Sequence, residues 1–264
     1  MNDKSITLRF YEELNDFLPP EKQKTGFTRK LFLSPAVKDV VEAEGVPHTE
    51  VDLVLVNGES VGWEHRLLPG DRVAVYPEFE SLDISPLVRL RPQPLRNPCF
   101  VLDVHLGGLA RRLRLLGFDC WYRNDYKDEE IIEVSVKHHR IILTRDKGIL
   151  KNRRVSHGCW LHSDDSDRQL REVIERFDLV GRAAPFSRCS DCNGLLETVK
   201  KSLVLDRIPV NTAAAFDTFY RCSNCGKIYW KGSHYEDMLR RFSDILGQPA
   251  KEENQDGEIP SATG

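Results

Sequence analysis

The 264-residue sequence has no apolar run approaching the roughly 20 residues that a membrane-crossing helix needs, so a helical membrane protein is not expected. It carries little net charge, −3, so no global basic field marks a nucleic-acid partner, and any such binding has to come from local patches. Its first residues, Met1-Asn2-Asp3-Lys4-Ser5, lack the apolar core of a secretory signal, and a cytoplasmic location is the expectation. No G-x-G-x-x-G fingerprint surrounds Gly107-Gly108, which removes the dinucleotide-loop reading. His105 and the pair His138-His139 have no partners at metal-ligand spacing and read as surface or packing residues. The 7 cysteines are odd in number, and a disulfide framework does not fit them.

What is there begins with a normal core: 40% hydrophobic and 30% charged residues, in a length that suits about two domains. The most informative stretch runs from Phe100 to Asp119. Phe100-Val101-Leu102 is a short buried-strand run, and Asp103 stands where that strand ends. Leu106, Leu109, Ala110, Leu113 and Leu116 follow at helical spacing, with Arg111, Arg112 and Arg114 off that face. Gly117 takes the position where a helix turns left-handed and stops, before a new strand at Cys120-Trp121-Tyr122. A helix is expected from Asp128, then a strand at Ile141-Ile142-Leu143-Thr144 closed by Asp146, and a further strand at Cys159-Trp160-Leu161. A helix over 167–177 completes the alternation. Alternating strands and helices predict an α/β fold with a parallel sheet covered on both faces.

In front of this unit, residues 5–11 and 27–33 read as strands. A short helix opens at Ser34-Pro35 and ends at Gly45. Val51 to Val56 and Arg72 to Tyr76 supply two more strands, with turns at Asn57-Gly58 and Leu68-Pro69-Gly70-Asp71. This order resembles the ubiquitin-like β-grasp domains related to the small sulfur carriers. Sulfur carriers end in a free Gly-Gly, whereas this segment runs on through Pro77-Glu78-Phe79-Glu80, so carrier chemistry is not expected. Residues 83–97 are rich in Pro and Arg and read as a semi-rigid linker. After residue 183, strand candidates fall at Leu203-Val204-Leu205 and Ile228-Tyr229-Trp230, followed by a helix from Tyr235 to Leu246. The tail over 247–264 has a disordered composition.

Two constellations carry chemistry. Cys189, Cys192, Cys222 and Cys225 form two C-x-x-C knuckles, each able to aim both thiolates at one ion, and two knuckles close a tetrahedral structural zinc site with no open position. Cys99, Cys120 and Cys159 read as small packing residues. The second constellation is acidic. Asp103 and Asp146 lie at strand ends, where open α/β sheets place their chemistry, and one or more of Asp125, Asp128 and Glu129 can join them. Clustered carboxylates repel, and hard oxygen ligands suit Mg2+ or Mn2+, ions that support phosphodiester hydrolysis. Arg111, Arg112, Arg114, Arg145, Arg153 and Arg154 are the local basic-patch candidates for holding a polyanion.

The run Leu102-Asp103, Leu109-Ala110-Arg111-Arg112-Leu113-Arg114-Leu115-Leu116-Gly117-Phe118-Asp119, together with Asp128-Glu129-Glu130-Ile131-Ile132, Ile141-Ile142-Leu143-Thr144-Arg145-Asp146 and Cys189-x-x-Cys192-Asn193-Gly194, resembles the Mut-seven C-terminal RNase family over residues 98–242. A leading β-grasp domain is typical of its bacterial members. The resemblance implies a PIN-like nuclease domain that cleaves RNA with Mg2+ or Mn2+ held by acids at the sheet edge. Asp103 and Asp146 match the first and third acidic positions, Asp128 or Glu129 the helix acid between them, and Asp164 or Asp165 fits more loosely. Arg145 lies within the same Thr-Arg-Asp motif and is a phosphate-contact candidate beside Arg111 and Arg112. The expected organisation is a β-grasp domain over 1–82, a linker over 83–97, a PIN-like domain over 98–182, a zinc ribbon with C-terminal helix over 183–246, and the tail. RNA is the expected partner, and the β-grasp domain could recruit a protein. The rival reading is a non-catalytic RNA-binding adaptor that uses the ribbon and the arginines.

Overall fold

The computed structural model describes residues 5–77 and 98–246, so the proposed linker and tail lie outside the described residues. Packing groups residues 1–194 into one unit and 195–264 into another.

The first unit contains two sheets. Strands β1 (Ser5–Phe10) and β2 (Phe27–Lys30) pair antiparallel, helix α1 (Val37–Ala43) follows, and β3 (Val51–Val56), β4 (Glu59–Ser60) and β5 (Arg72–Pro77) complete a sheet of order β2-β1-β5-β3-β4. Its central pair, β1 with β5, is parallel. The alternation in β1 puts Ile6, Leu8 and Phe10 inward against Val37, Val40 and Val41 of α1. Residues 31–33, expected to extend β2, do not: Leu31 turns into the core while Phe32 and Leu33 are 91% and 84% exposed. Ser34 Oγ donates to the Leu67 carbonyl here, and a loop replaces the strand.

The second sheet follows the sequence pattern closely. Strand β6 (Phe100–Leu102), helix α2 (Gly107–Leu115), β7 (Cys120–Trp121), α3 (Asp128–His138), β8 (Ile141–Thr144), α4 (Lys147–Leu150), β9 (Gly158–Trp160) and α5 (Ser166–Arg176) alternate along the chain. The strands form a parallel sheet of order β7-β6-β8-β9. Val101 and Ile142 pack on Ile131 and Ile132 of α3. On the other face Phe100 meets Phe177, just past α5, with ring centroids 5.6 Å apart. Helices therefore cover both faces, and the near-continuous apolar strands are what such burial requires. The chain steps outward from β6 to β7 and then back across to β8, so the order reverses between β6 and β8. At the end of α2, Gly117 has φ +89°, and a Cβ there would lie 2.3 Å from the Ala184 carbonyl oxygen. Only glycine turns the chain at that point.

The two sheets of this unit meet at β9. Trp160 packs against the first sheet's core, its ring centroid 4.9 Å from that of Phe17, and the Lys147 ammonium lies 3.9 Å from the Trp160 ring centroid. Burial pushes the Lys147 pKa down, with Lys151 adding to the effect. Glu50 is fully buried: it accepts from the Trp160 amide at 2.7 Å and pairs with Arg176 of α5. His48 Nε2 contacts the Val155 carbonyl at 2.9 Å, and its Nδ1 meets Glu42 at 2.6 Å.

The second unit has β10 (Leu196–Val199), α6 (Val210–Ala215), β11 (Phe219–Cys222), β12 (Ile228–Tyr229) and α7 (Ser233–Leu246), with an antiparallel sheet of order β10-β11-β12. The expected strand at Leu203-Val204-Leu205 is instead two 3-10 turns, Lys201–Leu203 and Leu205–Arg207. Val204 alone of those three is buried, on Val199, Ile208 and Phe219, so one inward residue rather than an alternating face is needed there. The strand expected at Ile228-Tyr229-Trp230 forms as β12, whereas β10 and β11, which carry Glu197, Thr198 and Arg221, give too weak an apolar signal to stand out.

Candidate active site and metal centre

The reversal between β6 and β8 brings the Asp103 carboxylate and the Asp146 backbone amide to one hydroxyl. Asp103 follows β6 with extended backbone and opens a 3-10 turn, and its amide donates to the Leu143 carbonyl at 3.1 Å. Its side chain is buried, 7% exposed. Thr144, the last residue of β8, is completely buried; its Oγ1 donates to Asp103 Oδ2 at 2.9 Å and accepts from the Asp146 amide at 2.9 Å. Asp146 caps α4, its Oδ1 accepting from the Gly148 amide at 2.7 Å. Among the described residues, Asp103 Oδ1 and Asp146 Oδ2 carry no hydrogen bond. Each acid thus has one oxygen fixed by the fold and one left over. Thr144 was missed by sequence reasoning as a site residue, although it lies in the Thr-Arg-Asp run.

The other acids differ. Asp128 and Glu129 are exposed in the first turn of α3, where acidic side chains complement the helix dipole. Glu129 is paired with Arg154, and Asp125 makes a two-pronged pair with Arg123. Asp165 caps α5 by accepting from the amides of Asp167 and Arg168. Those hydrogen bonds, Arg168's first, hold its pKa below the usual carboxylate range. Asp164 is exposed. Among the described residues no three carboxylates gather at ligand distance of one another. The structure brings Asp103 and Asp146 together around Thr144; it does not add Asp128, Glu129, Asp164 or Asp165 to them.

The basic patch also divides. Arg111 is exposed, and Arg112 pairs with Asp167 at 2.6 Å. Both line a cleft of about 640 Å3 with Gly107, Gly108, Tyr122 and Arg123. A Cβ on Gly108 would lie 2.3 Å from Ser166 Oγ, so the glycine keeps α2 close to α5 beside this cleft. Arg145 is exposed, and its carbonyl accepts from Trp160 Nε1 at 3.1 Å. Arg154 is taken by Glu129. Arg114, placed by its spacing on the polar face, is buried. Its guanidinium donates to the carbonyls of Cys120 at 2.9 Å and Asp191 at 2.7 Å, which makes it a structural clamp. Helical spacing could not reveal that an arginine's partners were carbonyls from distant segments.

The cysteines sort by environment. Cys120 and Cys159 are buried packing residues, and burial pushes the Cys120 thiol up to about 12. Around Cys189 the amide of Cys192 points at the sulfur at 3.5 Å. Asn193 closes the knuckle in a left-handed conformation, φ 68°, with its amide donating to the Cys189 carbonyl. The Asn193 side chain accepts from the Cys120 amide and donates to Asp119. Around Cys222 the amides of Asn224 and Cys225 point at the sulfur at 3.4 and 3.5 Å, and Gly226 takes φ 71°. The four sulfurs of Cys189, Cys192, Cys222 and Cys225 all lie within 4.8 Å of one another, a set positioned to bind a metal.

Comparison with known proteins agrees with this architecture. A family model described as Mut7-C RNAse domain matches residues 98–242, and one described as Mut7-C ubiquitin matches residues 3–83. Among curated proteins, the exonuclease mut-7 homolog of Homo sapiens is 38% identical over 106 residues, which cover 38% of this chain and 12% of that protein. O-methyltransferase 9 of Dictyostelium discoideum is 25% identical over 96 residues, 35% of this chain and 26% of that protein. The chain thus matches only a minor part of either relative's length. No solved structure matches.

Proposed function

We propose that this chain, which belongs to the Mut7-C RNAse domain family, hydrolyses RNA phosphodiester bonds at the Asp103–Asp146 edge of its parallel sheet with the help of Mg2+ or Mn2+. The observation that supports the reading is the single Thr144 hydroxyl held between Asp103 and Asp146 at the point where the strand order reverses. The donor set suits such an ion: Mg2+ commonly keeps several waters and takes one or two carboxylates, and these two acids each have an oxygen to spare. When bound, the ion supplies charge neutralisation at the scissile phosphate and lowers the pKa of its water.

The chain's own residues do the rest. Thr144 fixes the Asp103 carboxylate in a buried setting, so its orientation is set before substrate arrives. Asp128 or Glu129, at the start of α3, is the further acid in this reading; Glu129 has to leave Arg154 to serve. Arg111 and Arg112 beside the cleft, with Arg145 at the end of β8, hold phosphates. Cys189, Cys192, Cys222 and Cys225 hold zinc in a purely structural role. A tetrahedral Zn–S4 centre has sulfurs about 3.8 Å apart and no open position, and the N–H groups aimed at Cys189 and Cys222 suit thiolates. No described helix is long and apolar enough to cross a membrane; a cytoplasmic location remains part of the proposal.

Incubation with labelled single-stranded RNA and Mn2+ tests this reading. Cleavage that disappears in Asp103→Asn and on adding EDTA is expected, together with weakened Mn2+ binding by that variant in calorimetry. The failure of a third carboxylate to gather is the observation that favours an RNA-binding adaptor instead. Binding without cleavage, unchanged in Asp146→Asn, would establish that rival.

A further inference from the structure

We propose that the solvent-facing side of the N-terminal five-stranded sheet is a second nucleic-acid site, which binds a segment of single-stranded RNA with residues other than those of the Asp103–Asp146 edge. The argument starts from the alternation of the strands. Because Ile6, Leu8 and Phe10 of β1 point into the core, Thr7 and Arg9 face outward, with Tyr11 just beyond the strand. The register sets Thr28 and Lys30 of β2 beside Thr7 and Ser5, and Arg72 and Ala74 of β5 beside Thr7 and Arg9. The outward side of β1, β2 and β5 therefore presents Arg9, Lys30 and Arg72, and none of these strands contains an acidic residue. Neither Arg9 nor Arg72 has an ion-pair partner among the described residues. On a chain of net charge −3, three neighbouring strands that carry only cations are a local exception, bordered by Glu12, Glu13 and Asp16 at the Tyr11 end, and their outward face complements a polyanion.

Aromatic rings interleave with those charges. Tyr11 and Tyr76 stack with centroids 4.3 Å apart and planes 11° from parallel, and the Arg9 guanidinium lies 4.9 Å from the Tyr11 ring centroid. Beside this pair, Thr7, Arg9, Tyr11, Asn57 and Arg72 line a cleft of about 600 Å3 together with Leu55 and Ala74. Stacking rings flanked by arginines on an open sheet are what an unpaired base and its phosphate need, whereas a duplex offers no free base faces. The lining is mostly polar, with Thr7, Arg9, Asn57 and Arg72 against Leu55, Val73 and Ala74, and gives a protein partner little apolar area.

Fluorescence anisotropy of the zinc-loaded full chain with a labelled 12-nucleotide oligouridine, in buffer free of chelator and of Mg2+ and Mn2+, tests the site. Omitting those ions leaves the cleavage reaction of the proposed function idle, so failure of this binding and failure of the cleavage reading are separable. The double variant Tyr11→Ala/Tyr76→Ala is expected to bind about tenfold or more weakly, and Tyr11→Phe/Tyr76→Phe to restore most of the affinity. Arg9→Ala/Arg72→Ala is expected to lower the slope of log K against log salt by about 1.4, at roughly 0.7 per lost phosphate contact. Oligonucleotides carrying 4-thiouridine are expected to crosslink to residues 5–77. Wild-type affinity and salt slope in the tyrosine-to-alanine and the arginine pairs, or crosslinks confined to residues 98–246, overturn the proposal; a protein occupying this face instead gives that same result. Should the tyrosine-to-alanine variant fail to fold, the arginine pair and the crosslink map decide.

Discussion

Thr144 gives its one proton to Asp103 while taking the amide proton of Asp146, so the two strand-end acids are locked to a single oxygen atom. Replacing Thr144 by Val keeps the volume and removes both bonds, leaving a buried carboxylate short of its donor. The expected cost is about 1–3 kcal/mol in denaturant unfolding, together with a large fall in RNA cleavage. Thr144→Ser, which keeps the hydroxyl, should recover most of both. Equal behaviour of the two variants would show that the hydroxyl is unimportant.

Glu50 is buried with Arg176 as partner and the Trp160 amide as a second donor. Glu50→Ala removes the fully buried partner of Arg176, leaving it Glu13 at 3.9 Å, and should destabilise the unit over 1–194 by about 3 kcal/mol, the low end for breaking a buried pair. Urea unfolding measures it; an unchanged midpoint would contradict the structure.

His162 lies 3.0 Å from Asp16 and beside Glu172. The hydrogen bond with Glu172 raises its pKa, burial opposes this, and the charges of Glu172, Asp16 and Glu50 add to the rise. A raised folded-state value means the contribution is fully present below the ordinary pKa of about 6.5 and disappears as pH climbs through the folded value. His162→Gln should flatten that part of the stability profile between mildly acid and mildly alkaline pH. Thermal unfolding across this range provides the comparison.

The small cluster of Val199, Val204, Ile208 and Phe219 is a slight core for the unit over 195–264. Structural zinc contributes on the order of 10–16 kcal/mol in small peptides, so strong chelation should unfold this unit. Elemental analysis should find about one zinc per chain, because four thiolates complete one tetrahedral site. Amide exchange over 195–246 should rise steeply when the metal is removed. Persistent protection without metal would refute a structural role.

Gly117 holds a left-handed turn against the Ala184 carbonyl. Gly117→Ala should cost about 1–3 kcal/mol through strain and displacement of that carbonyl. Calorimetry reads it as a lowered melting temperature.

Much of this was legible in the residues, and the reasons are physical. Phe100–Leu102 and Ile141–Thr144 are continuous apolar runs that only a doubly covered sheet can accommodate, and acids closing both runs marked the edge. The two cysteine knuckles have a spacing with few other uses. Side-chain roles that depend on distant partners were not legible. Nothing local distinguishes Arg114, clamped onto carbonyls, from Arg111, left in solvent. Glu50 likewise reads as a surface acid until Arg176 is brought to it. Leu203-Val204-Leu205 misled because an apolar triplet says that something is buried, not which backbone shape buries it.

The Glu50–Arg176 pair joins residues 126 positions apart, and His48 reaches Val155 across 107. During synthesis the N-terminal sheet leaves the ribosome long before either partner exists. At about 5–20 residues per second, Glu50 waits roughly 6–25 seconds for Arg176. Through that interval a carboxylate destined for full burial stays hydrated, and the face that receives Trp160 stays open. Completion of α5 is thus the event that closes the seam between the two sheets, and truncation before Arg176 leaves a nascent chain with that seam exposed for chaperones to cover.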